Sequence, residues 1–259
     1  MTRTQWITIV VGILLVLGIY QLPRVVVEND RSANLQAHSF EMSDADAQTI
    51  SSLKVQLDNV DHEKNLNFAD SLARLYFKYG LIDSARNIAD RMLARESSLK
   101  ARKWGVNVLF TAFERSPNGA EAAEYAKRLR PLIEEILLEE PQNLKYKNKL
   151  AMTLVNTETP MAGITLLREI VSEDPENREA LINLGLLSIQ SNQLERAVAR
   201  FENLLTLDSL DYESMLYLAV SKLEQGDKEQ AEKLLVKIAT ADGVDPAILR
   251  SAEEYLERN

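Results

Sequence analysis

The chain has 259 residues, 30 of them basic and 39 acidic, with nine glycines and seven prolines, about half the usual share of these two residues. It has no cysteine, which excludes a disulfide, a cysteine-held zinc or iron–sulfur site, a thiol nucleophile and a lipidated cysteine. No two glycines stand two or five positions apart, so neither the glycine turn of a dinucleotide fold nor a P-loop is present. This glycine-poor, aliphatic composition predicts an ordered helical protein.

An uncharged apolar segment covers residues 6–22. As a helix it would extend about 25 Å, close to the ~30 Å hydrocarbon core of a bilayer. Trp6 and Tyr20 lie at its two ends, where interfacial aromatic side chains are typical. We therefore predict a short tail over 1–5, a single transmembrane signal-anchor helix over 6–22 and a tether over 23–42. A cleaved signal peptide is the alternative, although no small-x-small pair directly follows the apolar run.

The charges around this segment bear on its orientation and on the partners of the rest of the chain. Arg3 and the amino group precede the segment, which favours an N-terminus inside the cytoplasm and the bulk of the chain outside it. The opposite, cytosol-facing orientation remains open. Residues 28–259 hold every acidic side chain and lack Arg3 and Arg24, so their net charge is −11. That charge opposes binding to nucleic acid or to an anionic lipid surface.

A leading helix is predicted over residues 43–65. Ser43 is a suitable N-cap, and Asp44 and Asp46 in the first turn favour the positive end of the helix dipole. Apolar side chains follow at helical spacing at Ala47, Ile50, Leu53, Leu57 and Val60.

A longer period begins at about residue 66. Pairs of one large and one small residue stand at 72–73, 150–151, 184–185 and 218–219, the last three at intervals of 34. A small residue follows thirteen positions after the first member of each pair, at Ala85, Gly163, Ala197 and Ala231. The pattern therefore predicts that each unit forms two amphipathic helices, whose small residues allow them to pack closely. Since neither helix buries its apolar face alone, the units are expected to stack.

This pattern resembles the tetratricopeptide repeat (TPR) family, with the clearest units at 66–99, 178–211 and 212–245. The resemblance covers 66–245, with a weaker unit at 144–177 and an irregular interval at 100–143 in which two long helices are predicted, over about 99–115 and 119–139. It implies an all-α, right-handed TPR-like solenoid of helix-turn-helix repeats, preceded by the transmembrane helix. Residues 246–259 are predicted to form a capping helix.

We find no candidate catalytic, cofactor or metal site. His38 and His62 have no carboxylate or hydroxyl partner at a recognisable spacing, and acid–base or nucleophilic catalysis needs such a partner. The acidic pairs 134–135 and 139–140 are typical of a solvated helix face. Trp104 is interpreted as a core residue rather than a ligand contact. The sequence therefore predicts a protein that is not an enzyme and has no cofactor.

The resemblance to TPR proteins implies that one face of the first helix of each unit lines a concave groove. In the last two units this face carries mainly aliphatic side chains, which predicts a groove for an apolar helix or an extended segment. Packing of these side chains on neighbouring helices is the alternative. Lys145 and Lys149 would orient an acidic group of the partner. The candidate partner-binding residues are Lys145, Asn148, Lys149, Met152, Ile182, Leu186, Ile189, Leu216, Val220 and Leu223.

The functional hypothesis is a non-enzymatic, membrane-anchored scaffold that binds a peptide or protein partner. Similarity to bacterial inner-membrane TPR proteins implies a single-pass protein of the bacterial inner membrane, with its C-terminal domain in the periplasm and a role in envelope, secretion or complex-assembly machinery. A self-associating structural solenoid and a cytosol-facing TPR receptor are the alternatives, and a homo-oligomer is compatible with each.

Overall fold

The computed structural model describes residues 42–59 and 62–258, which form twelve α-helices and no strand. The predicted all-helical fold is thereby confirmed. The helices are α1 Asp44–Asn59, α2 His62–Lys78, α3 Ile82–Arg95, α4 Leu99–Glu114, α5 Gly119–Glu139, α6 Leu144–Val155, α7 Pro160–Glu173, α8 Arg178–Gln190, α9 Leu194–Leu207, α10 Tyr212–Glu224, α11 Lys228–Ala239 and α12 Pro246–Arg258.

The beginning of the described chain differs slightly from the predicted division. The Ser43 hydroxyl accepts a hydrogen bond from the Asp46 backbone N–H at 3.1 Å, as its predicted N-cap role requires. The leading helix was expected to reach residue 65, but α1 ends at Asn59 and α2 begins at His62. The first repeat helix therefore starts four residues before the predicted unit.

Short polar caps begin the helices in the second half of the chain. Asn143, Asn177 and Asp211 stand 34 residues apart, and the side chain of each accepts a hydrogen bond from the backbone N–H three residues later. Asp245 continues this spacing and accepts from the Ala247 backbone N–H at 2.8 Å. Such caps satisfy backbone donors that have no partner within the helix. The repeat period is thus built into the start of α6, α8, α10 and α12.

Each helix packs on the next one along the chain, and some helices also contact the helix two positions away. These next-nearest contacts join α2 to α4, α6 to α8, α8 to α10 and α10 to α12. They concentrate on the even-numbered helices. The even-numbered helices therefore lie on the side of the stack where successive pairs come closest together.

Small residues permit the close approach of paired helices. A Cβ placed on Gly185 of α8 would lie 2.4 Å from Cζ of Phe201 in α9. A Cβ on Gly163 of α7 would lie 2.3 Å from the backbone oxygen of Ala151 in α6. Both distances are far inside normal packing contact, so each site accepts only glycine without movement. Ala197 and Ala231, at the matching position of the next two units, are fully buried.

The irregular interval contains the two long helices predicted there, α4 and α5. They have 16 and 21 residues, whereas α8 and α9 have 13 and 14. Arg102 near the start of α4 forms ion pairs with Glu135 and Glu139 near the end of α5.

The last helix, α12, covers the apolar side of α10 and α11. Ala252 is fully buried there, and Ile248, Tyr255 and Leu256 pack against the same core as Leu235. This placement is the one expected of a capping helix.

The predicted anchor at 6–22, and the tether except for Met42, lie outside the described residues. In the two ranges that the structure describes, no helix combines the length and the apolar character that crossing a membrane requires.

Candidate functional site

A hollow of about 240 Å³ opens between four even-numbered helices, α4, α6, α8 and α10. We call it the aromatic hollow. Its apolar lining consists of Phe110, Phe113, Met152, Ile182, Leu186 and Tyr217. Its polar lining consists of Glu114, Arg178, Glu179, Asn183 and Glu213.

The apolar floor is held in place by packing. Phe110 and Phe113, one turn apart on α4, are buried, and their ring centroids lie 5.3 Å apart with the rings tilted at 42°. Ile182 is also buried, whereas Met152 and Leu186 are half-buried. The floor is therefore fixed by core contacts, and part of its apolar surface remains open to solvent.

An ion-pair cluster fixes one edge of the hollow. The Arg178 guanidinium donates two hydrogen bonds of 2.8 Å to the Asp211 carboxylate and one of 2.7 Å to Glu213. Asp211 is buried, which works to raise its pKa, but hydrogen bonds from Arg178 and Ser214 outweigh this effect and hold the pKa below its usual value. Hydrogen bonds to Asp211 and Glu213 raise the pKa of Arg178 in turn. This edge is a fixed structural cluster rather than a set of free charges.

Lys149 of α6 lies beside the hollow. Its Nζ is 3.9 Å from the ring centroid of Phe110, a cation–π contact. Burial lowers the pKa of Lys149, an effect that the carboxylates of Glu114 and Glu179 oppose. Within residues 42–59 and 62–258, the ammonium group has no hydrogen bond and no ion pair shorter than 4.0 Å.

Glu114 ends α4 at the rim of the hollow. Its side chain is exposed to solvent, although neighbouring groups partly desolvate the carboxyl. This desolvation raises the pKa of the Glu114 carboxyl, and Lys149 opposes the rise. In the described part of the chain, neither Glu114 nor Glu179 takes part in an ion pair or a side-chain hydrogen bond.

The structure places the ten groove candidates in different surroundings. Met152, Ile182 and Leu186 line the aromatic hollow, and Lys149 lies next to it. Lys145 is exposed at the start of α6, and Ile189 and Val220 are half-buried.

Three candidates are less available than the sequence suggested. Asn148 is only 1% exposed, and its side-chain amide donates to the side chain of Asn177 at 3.0 Å. Leu216 is buried in the core shared by α10, α11 and α12. Leu223 lines a separate hollow of about 150 Å³ beneath α12. These three residues therefore lie in the packing between helices, and none of them lines the aromatic hollow.

Sequence reasoning missed the aromatic wall. Phe110, Phe113 and Glu114 fall in the irregular interval, where no repeat phase indicates which side of α4 faces the groove. Tyr217 lies one position after Leu216 and was missed as well. The available signal was the pair of phenylalanines three residues apart near the end of a long helix, which places both rings on one face.

The other residues singled out in the sequence have structural surroundings. Trp104 is half-buried against the core, and its Nε1 donates to Asp70 at 3.2 Å. Glu139 and Glu140 pair with Arg102 and Lys103. His38 lies outside the described residues. Where the structure describes the chain, no group of three acidic, histidine or cysteine side chains is arranged to hold a metal ion.

Comparisons with known proteins agree with this architecture. A sequence profile of the tetratricopeptide repeat family matches residues 188–253. No curated protein matches the chain in sequence.

Several solved structures are similar to the chain. A tetratricopeptide repeat protein from Parabacteroides merdae superimposes with a TM-score of 0.56 at 13% identity, over 82% of each chain. PilW, a widely conserved type IV pilus biogenesis factor, gives a TM-score of 0.54 at 14% identity, over 80% of this chain and 90% of PilW. A thermophilic TPR protein of Thermus thermophilus gives 0.53 at 19% identity, over 74% and 99%. The family match is thus confined to residues 188–253, and the solved structures show that the chain shares the paired-helix fold of tetratricopeptide repeat proteins.

Proposed function

We propose that this protein is a non-enzymatic, membrane-anchored scaffold that holds a segment of a partner protein in the aromatic hollow. The observation that carries the proposal is the hollow itself, which is preformed, apolar at its floor and open to solvent. Concave sites of this kind bind the apolar side chains of a partner, and the polar groups at their rim fix its orientation.

The hollow lies on the side of the stack that the even-numbered helices form. Next-nearest contacts place the even-numbered helices on the narrow side of the stack, and four of these helices contribute to the hollow. Met152, Leu186 and Tyr217 are each partly exposed, so a bound side chain would remove apolar surface from water on both partners. Because the floor is already packed, little ordering is needed on binding.

The N-terminal segment supports attachment to a membrane. Residues 6–22 carry no charge, and Arg3 precedes them. We place the rest of the chain outside the cytoplasm, in the periplasm of a bacterial envelope, with a role in assembling an envelope or secretion complex. PilW, which shares the fold, is a type IV pilus biogenesis factor.

Reporter fusions to the C-terminus test the orientation. A phosphatase that is active only in the periplasm should be active when fused there, whereas a cytosol-active galactosidase should be inactive. The reverse result would contradict the periplasmic placement and favour a cytosol-facing receptor.

The groove function is tested by partner capture from membranes. The tagged full chain would be crosslinked in cells and purified in mild detergent, and its partners identified. Leu186→Glu places a charge on the apolar floor and should remove the partner while the helical content stays unchanged. Leu210→Glu is the matched control, because Leu210 is 61% exposed and lies outside the hollow.

Two outcomes would count against this proposal. Recovery of the chain alone after crosslinking contradicts a membrane partner. Concentration-dependent sedimentation of the wild type that Leu186→Glu abolishes would show instead that the occupant is a second copy of this chain.

A further inference from the structure

The charges around the aromatic hollow indicate what kind of segment fits it. Three carboxylates, Glu114, Glu179 and Glu213, line the hollow together with one cation, Arg178. Lys149 and Arg115 act on Glu114 from beside the hollow. The lining of the hollow itself is therefore acidic on balance, and an incoming cation is favoured there.

Arg178 does not offset the remaining acids. Its guanidinium is occupied by Asp211 and Glu213, and this cluster keeps one negative charge in excess. Glu114 and Glu179 lie outside the cluster, and both side chains are exposed at the rim.

Lys149 is also poorly placed to hold an acidic group of a partner. Its ammonium lies over the Phe110 ring, and the two rim carboxylates Glu114 and Glu179 act on it electrostatically. An acidic segment at Lys149 would therefore meet repulsion from both rim carboxylates.

The two rim carboxylates are short of positive partners. Burial raises the pKa of the Glu114 carboxyl, and the attraction of Lys149 and Arg115 compensates for it only in part. A cation placed between Glu114 and Glu179 would favour the charged form of Glu114 and would be attracted by both carboxylates.

We infer, building on the proposed groove function, that the occupant is a segment in which a large apolar side chain stands beside a lysine or arginine. The apolar side chain enters the floor formed by Phe113, Met152 and Leu186, and the cation lies between Glu114 and Glu179. This assignment reverses the acidic partner that Lys145 and Lys149 suggest from sequence.

The test uses the tagged full chain in mild detergent and a displayed library of random short peptides. Peptides that bind the wild-type protein but not the Leu186→Glu variant are taken as groove ligands. These ligands should be enriched in lysine or arginine next to leucine, methionine or an aromatic residue.

One selected peptide is then measured on variants. Glu114→Gln with Glu179→Gln should weaken its affinity about five- to tenfold and reduce the loss of affinity in high salt. Glu169→Gln with Glu195→Gln removes the same charge from exposed positions on α7 and α9 and should leave the affinity unchanged.

Lys149→Met gives a readout of opposite sign for the two kinds of partner. A basic segment should bind Lys149→Met as tightly as the wild type or more tightly, whereas an acidic segment should lose affinity. Unchanged affinity in the Glu114/Glu179 double variant, or selected ligands rich in aspartate and glutamate, would overturn the inference and leave the groove function standing. If no ligand depends on Leu186, the groove function fails as well.

Discussion

The irregular pair α4–α5 and the regular pair α8–α9 use their side chains in different ways. In the regular pair, Gly185 lies against Phe201 of the same pair, and Phe201 is fully buried. In the irregular pair, the close contact of Gly105 is with Leu93 of the preceding helix α3. The aromatic side chains near the end of α4 line the hollow instead. The glycine of the regular pair thus closes that pair on itself while α8 also lines the hollow, whereas α4 packs its glycine on α3 and supplies the aromatic wall.

The largest expected effect is in the regular core. Phe201→Ala should destabilise the protein by about 3–5 kcal/mol, because it leaves a cavity beside Gly185 and Tyr217. Phe113→Ala in the irregular pair should cost less stability, since its ring borders a hollow that water can enter, and should abolish partner capture. Urea denaturation followed by circular dichroism measures the first effect. If Phe113→Ala loses as much stability as Phe201→Ala and still captures the partner, the proposed difference between the two helix pairs is wrong.

Alanine substitutions at two helical glycines, one in each pair, should change the stability of the protein in opposite directions. Gly185→Ala should cost about 1–3 kcal/mol, because its Cβ would overlap the Phe201 ring. Gly119→Ala at the start of α5 should stabilise the protein by about 0.4–1 kcal/mol, since nothing lies within 4 Å of the added Cβ. Thermal unfolding of the two variants side by side gives the comparison. A tolerated Gly185→Ala would show that the regular pair is loosely packed.

The ion pair between Arg178 and Asp211, which joins two regular helix pairs, should affect how the stability of the protein changes at acid pH. Asp211→Asn keeps a side-chain oxygen for the N-cap but weakens the contact with Arg178, and should cost about 1.5 kcal/mol at neutral pH. The folded pKa of Asp211 is lowered, so its stabilising contribution is present above pH ~4 and is lost as the pH falls through the folded value.

Urea midpoints measured from about pH 7 to pH 3 should therefore fall more steeply for the wild type than for Asp211→Asn. Asn118→Ala, which removes the uncharged cap of α5, serves as the control and should keep the wild-type slope. Parallel curves for wild type and Asp211→Asn would contradict the assigned link.

The smallest expected effect concerns the ion pairs of the irregular pair. Arg102→Leu should cost at most about 1 kcal/mol, because Glu135 and Glu139 are about half exposed and their attraction is screened by water. Denaturation with and without added sodium chloride measures the loss. A cost larger than that of Asp211→Asn would show that α4 and α5 depend on these charges more than the regular pairs depend on theirs.

The repeated part of the fold was predictable because the same contact occurs several times. The small residues at 151, 197, 219 and 231 are all fully buried, as their spacing predicted. The long helices α4 and α5 were also recognised, since Ser116 to Gly119 interrupts an otherwise helical segment.

The site was predictable only where it follows the repeat. Met152 and Leu186 occupy equivalent positions 34 residues apart, Ile182 lies one turn before Leu186, and all three reach the hollow. Phe110 and Phe113 lie in an interval with no repeat phase to copy. Lys149 lies over the ring of Phe110, which belongs to a different helix, α4. No sequence pattern on α6 alone could therefore have revealed this contact.

The evenly spaced caps also bear on how such a chain can change over generations. Asn177 precedes α8 and Asp211 precedes α10, so removal of residues 178–211 would join Asn177 directly to Tyr212. The new junction would again place a capping side chain before the first residue of a helix. Loss or duplication of one whole unit therefore leaves the cap of every remaining helix intact. Helices that line a binding site can then be gained or lost in evolution without new helix caps.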